Sequence, residues 1–253
     1  MRFELQRADF WKRISALMFD MIVLGVVVLL AALTMSWAFR FDHYDSFIRE
    51  TEQEYAQQYG ITLGITADEY EALTPDVQQK YNDCERALGQ NVKFMAAYQL
   101  RNNLLFVIPS MGILIGYIVT ELLIPIFFKN GQTLGKKAFG LGVVHTNGIR
   151  MRGQAHFIRT IIGKCLIETL VPFYFLMMII LGKLGLLGVI VIGLMLVLEL
   201  YSLITSRTRS TIHDLVSDTV VVDLASQMVF DTYDDLIAYK TRIHEEMANA
   251  KEY

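Results

Sequence analysis

Only two of the 253 residues are cysteines, and they fall in different surroundings, Cys84 in a polar region and Cys165 inside an apolar run. An intrachain disulfide is not expected. With no CxxC pair and no Cys/His group at metal spacing, no structural metal is implied either. Charge is scarce at 19% of residues and neither sign dominates, since 23 Lys and Arg stand against 26 Asp and Glu for a formal net charge of −3. Nucleic acid is excluded as a general partner, because phosphate recognition needs clustered bases.

Catalytic motifs are also missing. Gly131-Gln-Thr-Leu-Gly135-Lys136-Lys137 has only three residues between its glycines, and Lys137 stands where a phosphate loop needs Ser or Thr to bind magnesium. His244-Glu-Glu-Met-Ala248 begins like a zinc-protease helix but has Ala where the second ligand belongs, and no GxSxG occurs. No nucleophile and base share a depth in the apolar regions. The chain is therefore read as neither an enzyme nor a cofactor binder.

What the chain has in abundance is apolar sequence: 53% of residues, with a mean hydropathy of +0.37. A soluble globular domain of this size does not carry that much. Nearly all of it sits in four stretches, residues 14–39, 104–128, 160–181 and 184–205, each with at most two charges and each long enough to cross a bilayer. The first follows Arg2, Arg7, Lys12 and Arg13 as a secretory signal would. It is too long for one and ends at Ser36-Trp37-Ala38-Phe39-Arg40 with an interfacial Trp, so it reads as a retained helix. Pro109 and Pro125 lie near the ends of the second span, where proline is tolerated. Gly182 and Gly185 flank a short turn between the third and fourth.

Lys12 and Arg13 precede the first span, Lys129, Lys136, Lys137, Arg150, Arg152 and Arg159 separate the second from the third, and Arg207 and Arg209 follow the fourth. By the positive-inside rule residues 1–13, 129–159 and 206–253 are cytoplasmic. Residues 40–103 hold 11 acids and 6 bases and are assigned to the opposite face. There Thr66-Ala-Asp-Glu69 is a capping-box pattern, and Thr74-Pro75 opens a helical stripe of Val77, Tyr81, Cys84, Leu88, Val92 and Met95. A cytoplasmic β-hairpin is expected from Val143-Val144-His145-Thr146 and Ile149-Arg150-Met151 about Asn147-Gly148. A Val220-Val221-Val222 strand is expected to precede a polar helix starting near Asp231. The fold class is thus all-α and polytopic: a four-helix transmembrane bundle in a lipid bilayer, with an external helical cap and a small cytoplasmic hairpin.

Five ionisable residues fall inside the spans: Asp20, Glu121, Lys164, Glu168 and Glu199. At 1.5 Å per residue they lie at roughly 10, 12, 8, 14 and 12 Å from the cytoplasmic flanks, so every helix contributes to one level. Four acids against one base cannot stay dry and fully ionised. Either some carboxyls are neutral or a cytosol-facing cavity admits water, cations or a cationic group. These five form a candidate ion or proton site. The bland alternatives are a Lys164–Glu168 pair four residues apart and protonated glutamates that merely tie helices together. For Asp20 the bases at matching depth are Arg13, Lys164 and Arg209. Gly112-Ile-Leu-Ile-Gly116 is a GxxxG motif, read mainly as packing within the bundle.

Several segments together resemble the RDD family, membrane proteins found mostly in bacteria and named for one arginine and two aspartates. Phe10-Trp-Lys-Arg13-Ile-Ser-Ala-Leu-Met-Phe-Asp20 is similar to the family's opening, Gly131-Gln-Thr133-Leu-Gly135-Lys136 followed by Val143-Val144 to its central loop, and Arg209-Ser-Thr-Ile-His213-Asp214 with Thr219-Val220-Val221 to its closing motif. The likeness covers residues 10–223 and maps the family's motif onto Arg13, Asp20 and Asp214. Residues 40–103 are longer than the usual connection, and the tail after Asp223 is extra. The resemblance implies a bacterial membrane protein for which transport has been suggested, and it implies no substrate; the inner-membrane placement with both termini cytoplasmic follows from the basic flanks.

Gly131, Thr133, Gly135, Lys136, Arg209 and His213 all fall at the cytoplasmic mouth, where a His-Asp pair suits proton relay near neutral pH and a salt-bridged clasp is the structural alternative. Two functions follow. One is transport of cations, protons or small solutes, as a homo-oligomer or a subunit of a larger complex, since four helices are few for a pathway and no inverted repeat is visible. The other is a noncatalytic scaffold or assembly factor that binds a partner protein.

Overall fold

The computed structural model describes residues 8–128, 131–205 and 210–249. In chain order the helices are α1 (Phe10–Ala38), α2 (Phe41–Tyr59), α3 (Ala67–Glu71), α4 (Pro75–Gln90), α5 (Val92–Phe128) and α6 (Leu134–Ala138). Strand β1 (Leu141–His145), helices α7 (Gly153–Ile180), α8 (Gly185–Thr205) and α9 (Ile212–Val216), strand β2 (Thr219–Asp223) and helix α10 (Tyr233–Asn249) follow. The chain forms two compact units, Leu30–Met111 and the remainder.

Helices α1, α5, α7 and α8 are long and apolar enough to cross a membrane, at the four places the hydropathy picks out. Helix α1 starts at Phe10, before the apolar run does, because the Asp9 carboxylate accepts from the Trp11 amide at 3.0 Å and satisfies a free N–H of the first turn. The α7–α8 connection turns at Gly182 and Gly185, both with positive φ. The GxxxG reading holds at Gly116, where an added Cβ would meet Val28 and Leu24 of α1.

Two of the long helices carry π-helical segments, Ile118–Leu123 in α5 and Ile158–Leu170 in α7. Such i→i+5 stretches are rare and concentrate at functional sites. Hydrophobic periodicity does not reveal them.

The small sheet differs from the expected hairpin. The turn about Asn147-Gly148 forms, with the Gly148 N–H on the His145 carbonyl at 2.8 Å, but Ile149-Arg150-Met151 forms no strand, making isolated bridges from Arg150 to Val144 and from Ile149 to Phe230. The partner of β1 is β2, antiparallel from Leu141 opposite Asp223 to His145 opposite Thr219. Leu141, Val143 and Val144 on one strand and the three valines on the other are all buried, whereas Arg150 ends in an ion pair with Asp231 at 2.8 Å. Pairing the two valine-rich strands removes more apolar surface from water than pairing β1 with a charged return strand. One core cluster joins Leu141, Val143 and Val221 to Ala16 of α1. Beyond the sheet, reciprocal bonds between Thr232 and Asp235 start α10 close to the expected Asp231.

Residues 30–111 fold around their own core of Ile48, Cys84, Leu88, Phe94 and Ala97. The Thr66–Glu69 capping box is present, with the Thr66 amide 2.8 Å from the Glu69 carboxylate, and these bonds hold that carboxyl below its usual range. Cys84, Leu88 and Met95 pack as the stripe predicts, but Val92 is 81% exposed. The stripe assumes one continuous helix. Asn91 takes an extended ψ of 100°, ends α4 and restarts the chain as α5 in a new phase, its side chain accepting from the Phe94 amide.

Candidate functional site

The sequence motifs meet in the larger unit, and the first junction is between α1 and the loop that enters α6. Gly131 turns the chain with φ 63°, and Thr133 caps α6. The buried Asp20 carboxylate accepts from the Thr133 hydroxyl and from the Gly135 backbone N–H, the latter at 2.7 Å. Lys136 lies 3.7 Å from the same carboxylate and 3.2 Å from the Thr133 oxygen. The base facing Asp20 is thus Lys136. Lys164 serves Glu121, the charge of Arg13 reaches Asp214, and Arg209 lies outside the described residues. Position 135 has no room for a side chain, since a Cβ there would overlap the Ala16 carbonyl oxygen and the Asp20 carboxyl. Burial and the neighbouring Lys164 pull the Lys136 ammonium down to about 8, against the opposite pull of Glu121 and Asp20.

The second junction joins the two π-helical segments. Lys164 donates to Glu121 at 2.6 Å with both side chains buried, and the Thr160 hydroxyl donates to the Glu121 carbonyl at 3.0 Å. The expected Lys164–Glu168 pair does not form. Lys164 is instead taken by Glu121 of α5, and Glu168 by the backbone and ring of His213 at α9.

The third junction pins the segment after α8. Asp214 Oδ1 accepts from Arg159 Nε at 3.0 Å and Nη2 at 2.8 Å, and both side chains are almost wholly buried. Thr219 donates to the same oxygen and Thr211 to the other. Burial pushes this carboxyl up, but Arg159, then His213, and also Arg13 outweigh it and hold it well below the usual carboxylate range. His213 Nδ1 is 2.8 Å from Glu168, whose other oxygen accepts the His213 backbone N–H at 2.8 Å, while Nε2 is 3.6 Å from Asp214. Burial lowers the His213 imidazole below its ordinary value despite Asp214 and Glu168, leaving the ring neutral near pH 7. Gly163 permits this close approach of α9, since a Cβ there would meet His213.

These contacts correct the count of four acids to one base. Loop and flank supply Arg13, Lys136 and Arg159, so among the described residues four permanent bases stand with Asp20, Glu121, Glu168, Glu199 and Asp214. Among the described residues Glu168 has only the neutral His213, and Glu199 has no base. One of its oxygens takes the Ile212 backbone N–H, and Oε2 is buried with no hydrogen-bond partner among the described residues, within reach of the charges of Glu168 and Asp214. No group of three His, Cys, Asp or Glu suited to a metal ion occurs among the described residues.

Arg159, Thr160, Thr211 and Thr219 were not singled out as site residues from sequence. Arg159 did carry a signal: like Arg13, it stands at the entry of an apolar stretch that contains an acid or base one to two turns on. The hydroxyls carried none.

The sequence pattern that defines the RDD family matches residues 7–218, most of the chain. Searches of curated proteins and of solved structures give no match.

Proposed function

This chain belongs to the RDD family of membrane proteins, and from that footing we propose that it moves protons or small monovalent cations across a bacterial cell membrane, alone as an oligomer or as a subunit of a larger complex. Both termini face the cytosol in this reading, and residues 40–103 face outward. The observation that carries it is Glu199 Oε2, a buried carboxylate oxygen with no donor among the described residues, close to Glu168 and Asp214, in a layer with one acid more than its bases among those residues. A proton or a monovalent cation supplies the missing charge. Glu168 lies close to that position and joins it to α9 through its bonds to the backbone and ring of His213. Asp20, bonded by Thr133 and Gly135, and Glu121 and Asp214, bonded by Lys164 and Arg159, hold the loop and α9 to the bundle and carry no cargo. No bond-making chemistry is assigned.

The test is flux in proteoliposomes under imposed sodium, potassium or proton gradients, with the native chain against Glu199→Gln. Native flux that Glu199→Gln abolishes supports the reading. Absence of flux for every cation removes it and favours the scaffold reading. That second reading has its own support in α8, whose Leu186, Leu187, Val189, Leu194, Leu196 and Val197 are all more than half exposed, a face open to lipid or to a partner's helix.

A further inference from the structure

The unit formed by residues 30–111 holds a half-open cleft of about 1090 Å³ that none of the charged layer touches. This is at the upper end of the roughly 300–1,000 Å³ common for small-molecule sites. One wall is a single face of α2 carrying Glu52, Gln53 and Gln57, and the opposite wall is the chain from Gly60 through the start of α4, where Ile65, Leu73 and Val77 line the space. These three aliphatic residues take no part in the unit's core cluster and remain partly exposed. The walls are fixed before any ligand arrives. Gly60 turns the chain with φ 63° and its N–H bonds back to α2, the Thr66–Glu69 capping box sets α3, and Pro75 starts α4.

The charges on the lining are not equivalent. Arg49 is paired with Asp45, and Glu69 is held by Thr66. Glu52 has no ion-pair or hydrogen-bond partner among the described residues. A pre-formed cleft with an apolar wall, two amides and one uncompensated carboxylate selects an apolar body with a positively charged end. We propose that this cleft binds a small amphipathic primary amine, with its ammonium on Glu52, Gln53 and Gln57 flanking it, and its apolar body against Ile65, Leu73 and Val77. The site is independent of the transport reading, and neither stands or falls with the other.

The experiment is calorimetric titration of the full chain in zwitterionic lipid nanodiscs, with empty nanodiscs as the blank. The probes are a graded series of arylalkyl and branched alkyl primary amines, with the alcohols of the same skeletons as neutral controls. Saturable binding is expected, with amines favoured over their alcohols by about ten- to a hundredfold and a similar loss in Glu52→Gln. Val77→Trp, which fills the apolar wall, should exclude the largest amines first. Helical content and thermal midpoint of both variants are checked against the native chain. The proposal is overturned if no amine in the series binds, if alcohols bind as well as amines, or if binding survives both substitutions.

Discussion

Asp20 and Gly135 are 115 positions apart, yet the backbone N–H of Gly135 donates to Asp20 Oδ1 at 2.7 Å, and the glycine's missing side chain is what lets the carboxylate approach. An acid in the interior of the first long helix thereby anchors a loop from the middle of the chain. A carboxylate accepting two hydrogen bonds and facing Lys136 is positioned to hold a segment in place.

Gly135→Ala should cost about 1–3 kcal/mol by overpacking, and Asp20→Asn about 3–5 kcal/mol by leaving Lys136 buried without its counter-ion. Because both act through one contact, the double variant should lose less than the sum. Thermal unfolding in nanodiscs reads all three, and strict additivity would show that the contact does not couple loop and helix.

Breaking Arg159–Asp214 should be equally severe, about 3–5 kcal/mol for Arg159→Met or Asp214→Asn alone, since each strands a buried polar partner. The double change Arg159→Met with Asp214→Leu should recover much of that loss. If the double variant is as unstable as the worse single one, the pair supports more than the local clasp.

Stability should fall on acidification in two windows. The folded-state value of His213 lies below its ordinary 6.5, so the folded state binds fewer protons than the unfolded one, and stability present above 6.5 declines as pH falls below it. The Asp214 carboxyl is also depressed, from 3.8, and its contribution is lost as pH falls below that value. Denaturation midpoints across pH 3 to 8, a span set by these ordinary values, should show the upper window vanish in His213→Gln while the lower one remains. An unchanged profile in that variant would remove His213 from the account.

The basic flanks predict sidedness. In intact cells a single cysteine at Gln58 should react with a membrane-impermeant reagent, and one at Ser226 should react only after permeabilisation. Both positions are exposed, so burial does not mask the answer. The reverse pattern would invert the topology.

The four spans were legible because crossing a bilayer is a local requirement: about 20 apolar residues at 1.5 Å each span its thickness wherever the rest of the chain goes. The Thr66–Glu69 box and the Gly182–Gly185 turn were legible for the same reason, their partners being a few residues away. That Asp20, Glu121, Lys164, Glu168 and Glu199 fall within the long apolar helices was legible too.

Which charge meets which was not legible. Lys164 meets Glu121 because α5 packs beside it while Glu168 is held by His213, and Asp20 meets Lys136 because a loop folds back on α1. Strand β1 chose β2 over its own return strand for the larger apolar surface it could bury. Length and hydropathy along the chain determined how many long apolar helices there are and which charges they carry. Pairing energies depend on distances of 3 to 4 Å between residues far apart in sequence, and only the packed structure sets those distances.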